Sequence, residues 1–219
     1  MTDTKTPSRP APGRPKDLEK RAAILGAAKT LFLAKGFEGA SMDAIAASAG
    51  VSKLTVYSHF GDKDHLFKAA VVSRCDEQMP AAMFTVAVGT PTRQALLTIA
   101  RGFHGLIHSD EAIALHRMMI ANAGQSPHLA ELFYEAGPKR TLDGFERYLR
   151  AAVQAGQLDI NDIPRAAEHF FVLCKGLAHM RRLVGCAKAC SNRERDAHLN
   201  GVVDLFLRAY APVGKRARR

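Results

Sequence analysis

Four side chains between positions 53 and 58 carry groups able to read a nucleic-acid base: Lys53, Leu54, Tyr57 and Ser58. Their spacing places them on one side of a helix. A lysine ammonium donates to the O6 and N7 acceptors of guanine, and a leucine packs on the thymine methyl. Val56 and Phe60, four apart, point the opposite way together with Val51, which leaves Thr55 and His59 on the flanks. The other reactive groups form no such pattern. Of the cysteines, Cys75, Cys174, Cys186 and Cys190, the last two could share a helix face with His179 and His198 on either side. That spacing is open to metal or redox chemistry. With no Cys-x-x-Cys and no second matched pair, reduced structural thiols and no metal are expected. There is no Gly-rich phosphate loop, no Gly-x-Ser-x-Gly and no His-Glu-x-x-His, so neither an enzyme nor a cofactor is expected.

The elements that must position the 53–58 face are marked by caps and glycines. An apolar stripe of Leu18, Ala22, Leu25, Ala28 and Phe32 predicts a helix over 16–35, ended by Gly36. Ser41 caps a second helix, with Asp43 in its first turn and Met42, Ile45, Ala46 and Ala49 on its buried face. Gly50 breaks that helix, Ser52 caps a third, Gly61 ends it, and Asp62 caps a fourth over 63–78. Two short helices joined by a three- to four-residue turn containing Gly are the helix-turn-helix plan. Small residues Ala46, Ala47 and Ala49 let the two helices cross closely, and the second would lie in the major groove of DNA.

Pro80 and the Gly89-Thr90-Pro91 stretch mark a junction. Beyond it, helices are expected near 92–108, 110–123, 127–156 with an interruption at Gly137-Pro138, 162–184 and 192–210. Few β-branched alternations occur anywhere, so the fold class is all-α. The expected organisation is a flexible basic arm (1–15), a three-helix DNA-binding domain with its connecting helix (16–78), a helical body (79–211) and a basic tail (212–219).

The net charge of +10, from 31 Lys and Arg against 21 Asp and Glu, favours a polyanionic partner. Charge alone does not locate the surface, because the excess is three over residues 1–78 and seven over 79–219. No apolar run approaches the ~20 residues of a membrane span. The polar, Pro-rich start has no apolar segment of the kind that opens a secretory signal. A cytoplasmic protein with no membrane partner is expected.

The run Gly50-Val51-Ser52-Lys53-Leu54-Thr55-Val56-Tyr57-Ser58-His59-Phe60-Gly61-Asp62-Lys63 closely resembles the TetR/AcrR family of bacterial repressors. So does the lead-in of Ile24-Leu25, Ala27-Ala28, Leu31-Phe32, Gly36-Phe37 and Ser41-Met42-Asp43-Ala44-Ile45-Ala46. The likeness covers residues 16–71, and the Pro-Gly-Arg-Pro-Lys lead-in with Ser52 to Tyr57 points to the AefR-like branch. The resemblance implies that Ser41, Thr55, His59 and Lys63 hold phosphates. It also implies that Lys53, Leu54, Tyr57 and Ser58 approach base edges, with Ser52 capping the helix that presents them. Where this chain has Leu54, many members carry Gly or a small residue, and where it has Ser58 an aromatic. The operator sequence therefore does not carry over from a relative.

For the body the resemblance implies a small apolar or amphipathic inducer and a C-terminal ligand-binding and dimerisation domain. The side chains suited to such a pocket are Phe103, His104, Met118, Phe133, Phe145, Tyr148, Phe170 and Cys174. A dimer is expected through the last two long helices, whose apolar stripes include Ala166, Phe170, Leu173 and Leu177 on one and Leu199, Val203 and Phe206 on the other. A twofold dimer suits a palindromic double-stranded operator. Arg14, extended between Gly13 and Pro15, is placed to enter the minor groove. The expectation is a homodimeric repressor released from DNA by a ligand. The alternative is an architectural or constitutive DNA-binding dimer that answers to none.

Overall fold

The computed structural model describes residues 15–85 and 90–212, and every regular element among them is a helix. The chain forms two compact units, Met1–Ala70 and Val71–Arg219, so the division falls within the fourth helix. Arg14 and the tail from residue 213 lie outside the described residues.

The first unit comprises α1 (Pro15–Gly39), α2 (Met42–Ser48), α3 (Lys53–Phe60) and the start of α4 (Lys63–Gln78). Its core is built from Ile24, Ala28, Phe32, Phe37, Ile45, Val56, Leu66 and Phe67, all buried. Phe67 stands edge-on to both Phe32 and Phe37 with ring centroids 5.3 Å apart, a geometry worth about 0.5–1.5 kcal/mol per pair beyond area burial. Leu18 and Ala22, expected in the α1 stripe, are exposed. The first two turns of α1 meet α3 through polar groups, Asp17 to His59 and Arg21 over the Phe60 ring, so the helical period continues there with Leu18 and Ala22 outside the core. Gly36 takes φ 71°, which breaks α1 and lets it resume for one turn.

The second unit holds the end of α4, a 3-10 turn (Ala81–Phe84), α5 (Thr92–His108), α6 (Asp110–Asn122), α7 (Pro127–Tyr134), α8 (Arg140–Gln154), α9 (Ile163–Leu183) and α10 (Asn192–Tyr210). Here α9 packs on α5, α6, α8 and α10, and α5 packs on α10. Starts are capped as the residue types dictate: Ser109 for α6, Asp162 for α9, and a reciprocal Ser191–Glu194 capping box for α10. The interruption expected at Gly137-Pro138 is instead a π-helical passage over Glu135–Lys139 that carries α7 into α8 without a break. A widened turn accommodates the proline, which lacks the N–H an α-helical turn would use.

Glycines inside these helices mark close approaches. A Cβ on Gly102 would stand 2.9 Å from the Gln78 carbonyl oxygen, and one on Gly144 would meet the Phe84 ring at 2.8 Å. Gly176 has φ 59° and kinks α9.

Candidate nucleic-acid interface

Two serines start the helices that form the interface. Ser41 Oγ accepts from the Ala44 N–H at 3.1 Å, and Ser52 Oγ accepts from the Thr55 N–H at 3.1 Å. Between them Gly50 takes φ 66°, and the Val51 N–H donates to the Ala46 carbonyl at 3.1 Å, folding α3 back across α2. α3 is two-faced. Val56 and Phe60 are buried, while Lys53, Leu54, Tyr57 and Ser58 are exposed and Thr55 and His59 lie half-buried at the edges. Leu54 is 78% exposed and Tyr57 40% exposed, an apolar and aromatic display that nothing in the unit covers.

The polar groups of this face are pre-arranged. Ser58 Oγ donates to the Thr55 carbonyl at 2.8 Å, which leaves its lone pairs outward. Ser52 and Thr55 hydroxyls bond each other at 2.8 Å. Each basic group of the set faces a carboxylate that linear spacing did not reveal. Lys53 Nζ lies 2.8 Å from Asp43 Oδ1 and 5.9 Å from the Tyr57 ring. The hydrogen bond and charge of Asp43 hold the Lys53 ammonium above its ordinary range. Lys63 Nζ lies 3.6 Å from Glu38 Oε2 and 4.3 Å from the Phe37 ring. His59 Nε2 turns inward to Asp17 Oδ1 at 3.1 Å, so its imidazole is held against α1 rather than presented to solvent.

In the body, the residues expected to line a pocket fall into two clusters. Phe103, Phe145, Tyr148 and Phe170 join Phe171 and Phe206 in an aromatic core, with Phe103–Phe171 centroids 4.3 Å apart and Phe145–Phe170 4.7 Å apart. Cys174 is buried, and burial pushes its thiol to about 12. The Tyr148 hydroxyl, on a residue 1% exposed, has no hydrogen-bond partner among the described residues, and desolvation raises it to about 12.

The second cluster holds His104 and Phe133, with three histidines that sequence reasoning did not bring together. His104 and His108 stack at 3.9 Å, His108 meets His179 edge-on at 5.4 Å, and His179 Nε2 bonds His116 Nδ1 at 3.2 Å. Phe133 stands 5.8 Å from the His116 ring, while Met118 is half-buried and outside both clusters. Only the four-residue step between His104 and His108 was visible in the sequence. Desolvation lowers all four imidazoles, His104 and His116 to about 4 and His179 to about 3. A separate groove of about 350 Å3, lined by Asp159, Asn161, Asp162, Arg165, Ala209 and Tyr210, includes none of the expected ligand residues.

The expected dimer stripe needs correction. Ala166, Phe170, Leu199, Val203 and Phe206 are fully buried within the chain itself, so they cannot meet a partner. Their faces of α9 and α10 close the unit's own core. Leu173 and Leu177 remain exposed, and beside them on α9 stand Val172, Met180 and Val184, with Leu205 on α10. The expected stripe on α9 is therefore split, with Leu173 and Leu177 outside and Ala166 and Phe170 in the core.

A capped helix-turn-helix with an exposed reading face, joined to a larger all-helical body, defines a DNA-binding protein of the one-head, one-body regulator type. Residues 24–70 match the family model described as bacterial regulatory proteins, tetR family. Residues 94–212 match that of the AefR-like transcriptional repressor, C-terminal domain. The chain belongs to the TetR family, with an AefR-like body, and is a DNA-binding transcriptional regulator rather than an enzyme. Both the resemblance and the all-α fold read from the sequence hold.

Among relatives, the transcriptional activator FasR of Mycolicibacterium smegmatis is 34% identical over 96 residues. That alignment spans 44% of this chain and 43% of FasR, less than half the length of either. A TetR-family regulator of Mesorhizobium loti superposes with a TM-score of 0.73 at 28% identity, covering 91% of this chain and 100% of that one. The flavonoid-responsive regulator FrrA superposes with a TM-score of 0.69 at 31% identity, covering 89% and 98%. No helix among the described residues is long and apolar enough to cross a membrane.

Proposed function

We propose that the chain acts as a homodimeric repressor that binds a palindromic operator and is released by a small apolar or amphipathic ligand. The observation that carries the DNA-reading part is the outward face of α3, where an exposed Leu54 and Tyr57 flank the Lys53 ammonium. Apolar groups displayed on a helix with a sealed inner face suit thymine methyls and sugar edges, and the lysine suits guanine. Ser41, Ser52, Thr55 and Lys63 surround that face and serve the phosphates. His59, turned to Asp17, supports the fold of the head more directly than it serves DNA. Arg14 is assigned to the minor groove from its sequence context alone.

Dimerisation is assigned to the exposed apolar face of Val172, Leu173, Leu177, Met180 and Val184 on α9 with Leu205 on α10. A patch of this kind on a helical surface marks an interaction site. Ligand release is supported by the Tyr148 hydroxyl. An unpaired buried donor costs about 1–3 kcal/mol, and a ligand acceptor lodged among the surrounding phenyl rings would relieve it. The repressor reading follows the AefR-like description of the body, and FrrA is named for its response to flavonoids. One observation favours the second reading, a dimer that answers to no ligand: Phe145, Phe170 and Cys174 are fully enclosed by their neighbours.

The experiment is selection of bound duplexes from random DNA, followed by titration of that complex with a panel of flat aromatic compounds. The main reading requires a twofold-symmetric site and release by compounds that also raise the protein's Tm. Thermal stabilisation without release leaves the ligand-independent dimer standing. An asymmetric site overturns the palindrome.

A further inference from the structure

Phosphate attraction binds DNA of any sequence, so a regulator gains discrimination when a basic group on its reading face is kept from phosphates. We propose that Asp43 is a specificity-determining positioning residue, whose carboxylate aims the Lys53 ammonium at base edges and keeps it unavailable to phosphate. The inference rests on the reading of Lys53 as a base contact.

The geometry supports it from three sides. Lys53 Nζ lies 2.8 Å from Asp43 Oδ1 and 3.0 Å from Oδ2, so one N–H points into the carboxylate. An ammonium has three donors, and two remain for guanine O6 and N7. The carboxylate also stands where its own helix favours it. Asp43 sits in the first turn of α2, next to the N-cap Ser41, where the helix dipole favours a negative charge whether or not Lys53 is present. The Tyr57 ring, 5.9 Å from Nζ, adds a second restraint. The ammonium is thereby directed and partly neutralised, which suits a base contact that depends on donor geometry. It does not suit a phosphate contact, which depends on net charge.

The Lys63–Glu38 pair provides an internal contrast. It is longer, at 3.6 Å, and Glu38 is highly exposed on the single turn that follows the Gly36 break. Lys63 is assigned to phosphate only, so its carboxylate opposes specific and non-specific binding alike.

The test uses the full-length protein, the duplex it selects from random DNA, and a scrambled duplex of equal length and composition. Anisotropy titrations run from about 50 to 200 mM salt, a range over which phosphate-driven binding changes steeply. Thermal unfolding confirms that each variant is folded. Asp43→Asn is expected to tighten the scrambled duplex about two- to five-fold, the range an exposed ion pair is worth. It should steepen the salt slope on that duplex by about one. Affinity for the selected duplex should stay level or fall, so the specificity ratio drops, and Asp43→Glu should restore it. Glu38→Gln should shift both affinities together and leave the ratio unchanged. If Asp43→Asn strengthens both duplexes equally, or leaves both unchanged, the proposed role is overturned. If Lys53→Ala binds both duplexes like the parent, the failure lies in the assignment of Lys53 itself.

Discussion

At the scale of single residues, exposed and enclosed positions make opposite demands. Leu54 buries little within the chain, while Tyr57 shares its surface between the fold and the outward face. Tyr57→Ala should weaken binding to the selected operator by about 1–3 kcal/mol, the range of a good base contact, and lower the unfolding temperature only modestly, leaving the protein folded. Fluorescence anisotropy with a parallel melt reads both. Gly102 is the enclosed counterpart. Alanine is worth about 1 kcal/mol more than glycine in a helix interior. At this position, however, its Cβ would stand 2.9 Å from the Gln78 backbone oxygen, which cannot rotate away. Overpacking of that kind costs about 1–3 kcal/mol, so the steric term wins. Gly102→Ala should lower stability in urea unfolding, and a gain would show that the approach of residue 78 to α5 is slacker than 2.9 Å implies.

Among the elements of the body, the histidine cluster ties together α5 (His104, His108), α6 (His116) and α9 (His179). The charged and titratable groups facing it are Lys175 and Arg182 on α9, Arg195 and His198 on α10, and Cys190, whose Sγ lies 4.0 Å from His104 Nε2, with no carboxylate among them. Arg182 is itself buried and engaged, donating to the His108 carbonyl and to the Asp110 carboxylate. An unfolded imidazole takes a proton near 6.5, whereas desolvation delays His104 and His116 in the native state to about 4 and His179 to about 3. Between those values the unfolded chain binds more protons. Stability is therefore full above about pH 6.5 and declines as pH falls toward 4. A tenfold difference in proton affinity between the folded and unfolded chain is worth about 1.4 kcal/mol. Even a fraction of the difference at these four imidazoles should lower Tm by several degrees from pH 7 to pH 5. His179→Asn should flatten that dependence. A Tm that held constant across the interval would mean the imidazoles gain solvent or a counter-charge that the packing does not provide.

For the whole molecule, the exposed face of α9 and α10 is the surface to which we assign twofold assembly. A charge placed in the middle of an apolar interface is left unpaired and desolvated, and loss of one interface anchor costs about 2 kcal/mol or more. Leu177→Glu combined with Leu205→Glu should shift the protein to monomer in sedimentation experiments. It should weaken palindrome binding about tenfold or more, because each head then binds its half-site alone. The aromatic core is built on buried side chains that neither substitution touches, so the Tm should stay nearly unchanged. A double variant that remained dimeric would move the interface elsewhere on the body.

The sequence by itself determined the local architecture. Caps at Ser41, Ser52 and Asp62, left-handed glycines at 50 and 61, and apolar steps of three and four are each decided within a few residues, so the short helices α2 and α3 and the two faces of α3 were legible in advance. The tertiary structure alone decided which groups meet across those elements. Asp43 and Lys53 are ten residues apart on different helices, and only the α2–α3 crossing brings them to 2.8 Å. Likewise Ala166, Phe170, Leu173 and Leu177 follow one another at steps of four, three and four and read as a single stripe of α9, yet the first two are buried and the last two exposed. Periodicity cannot show where along such a stripe burial stops, which is set by the packing of α5, α8 and α10 on α9. That packing encloses Phe170 and leaves Leu177 exposed, because hydrophobic free energy follows the area removed from water, and that area is set by the neighbours a helix acquires on folding.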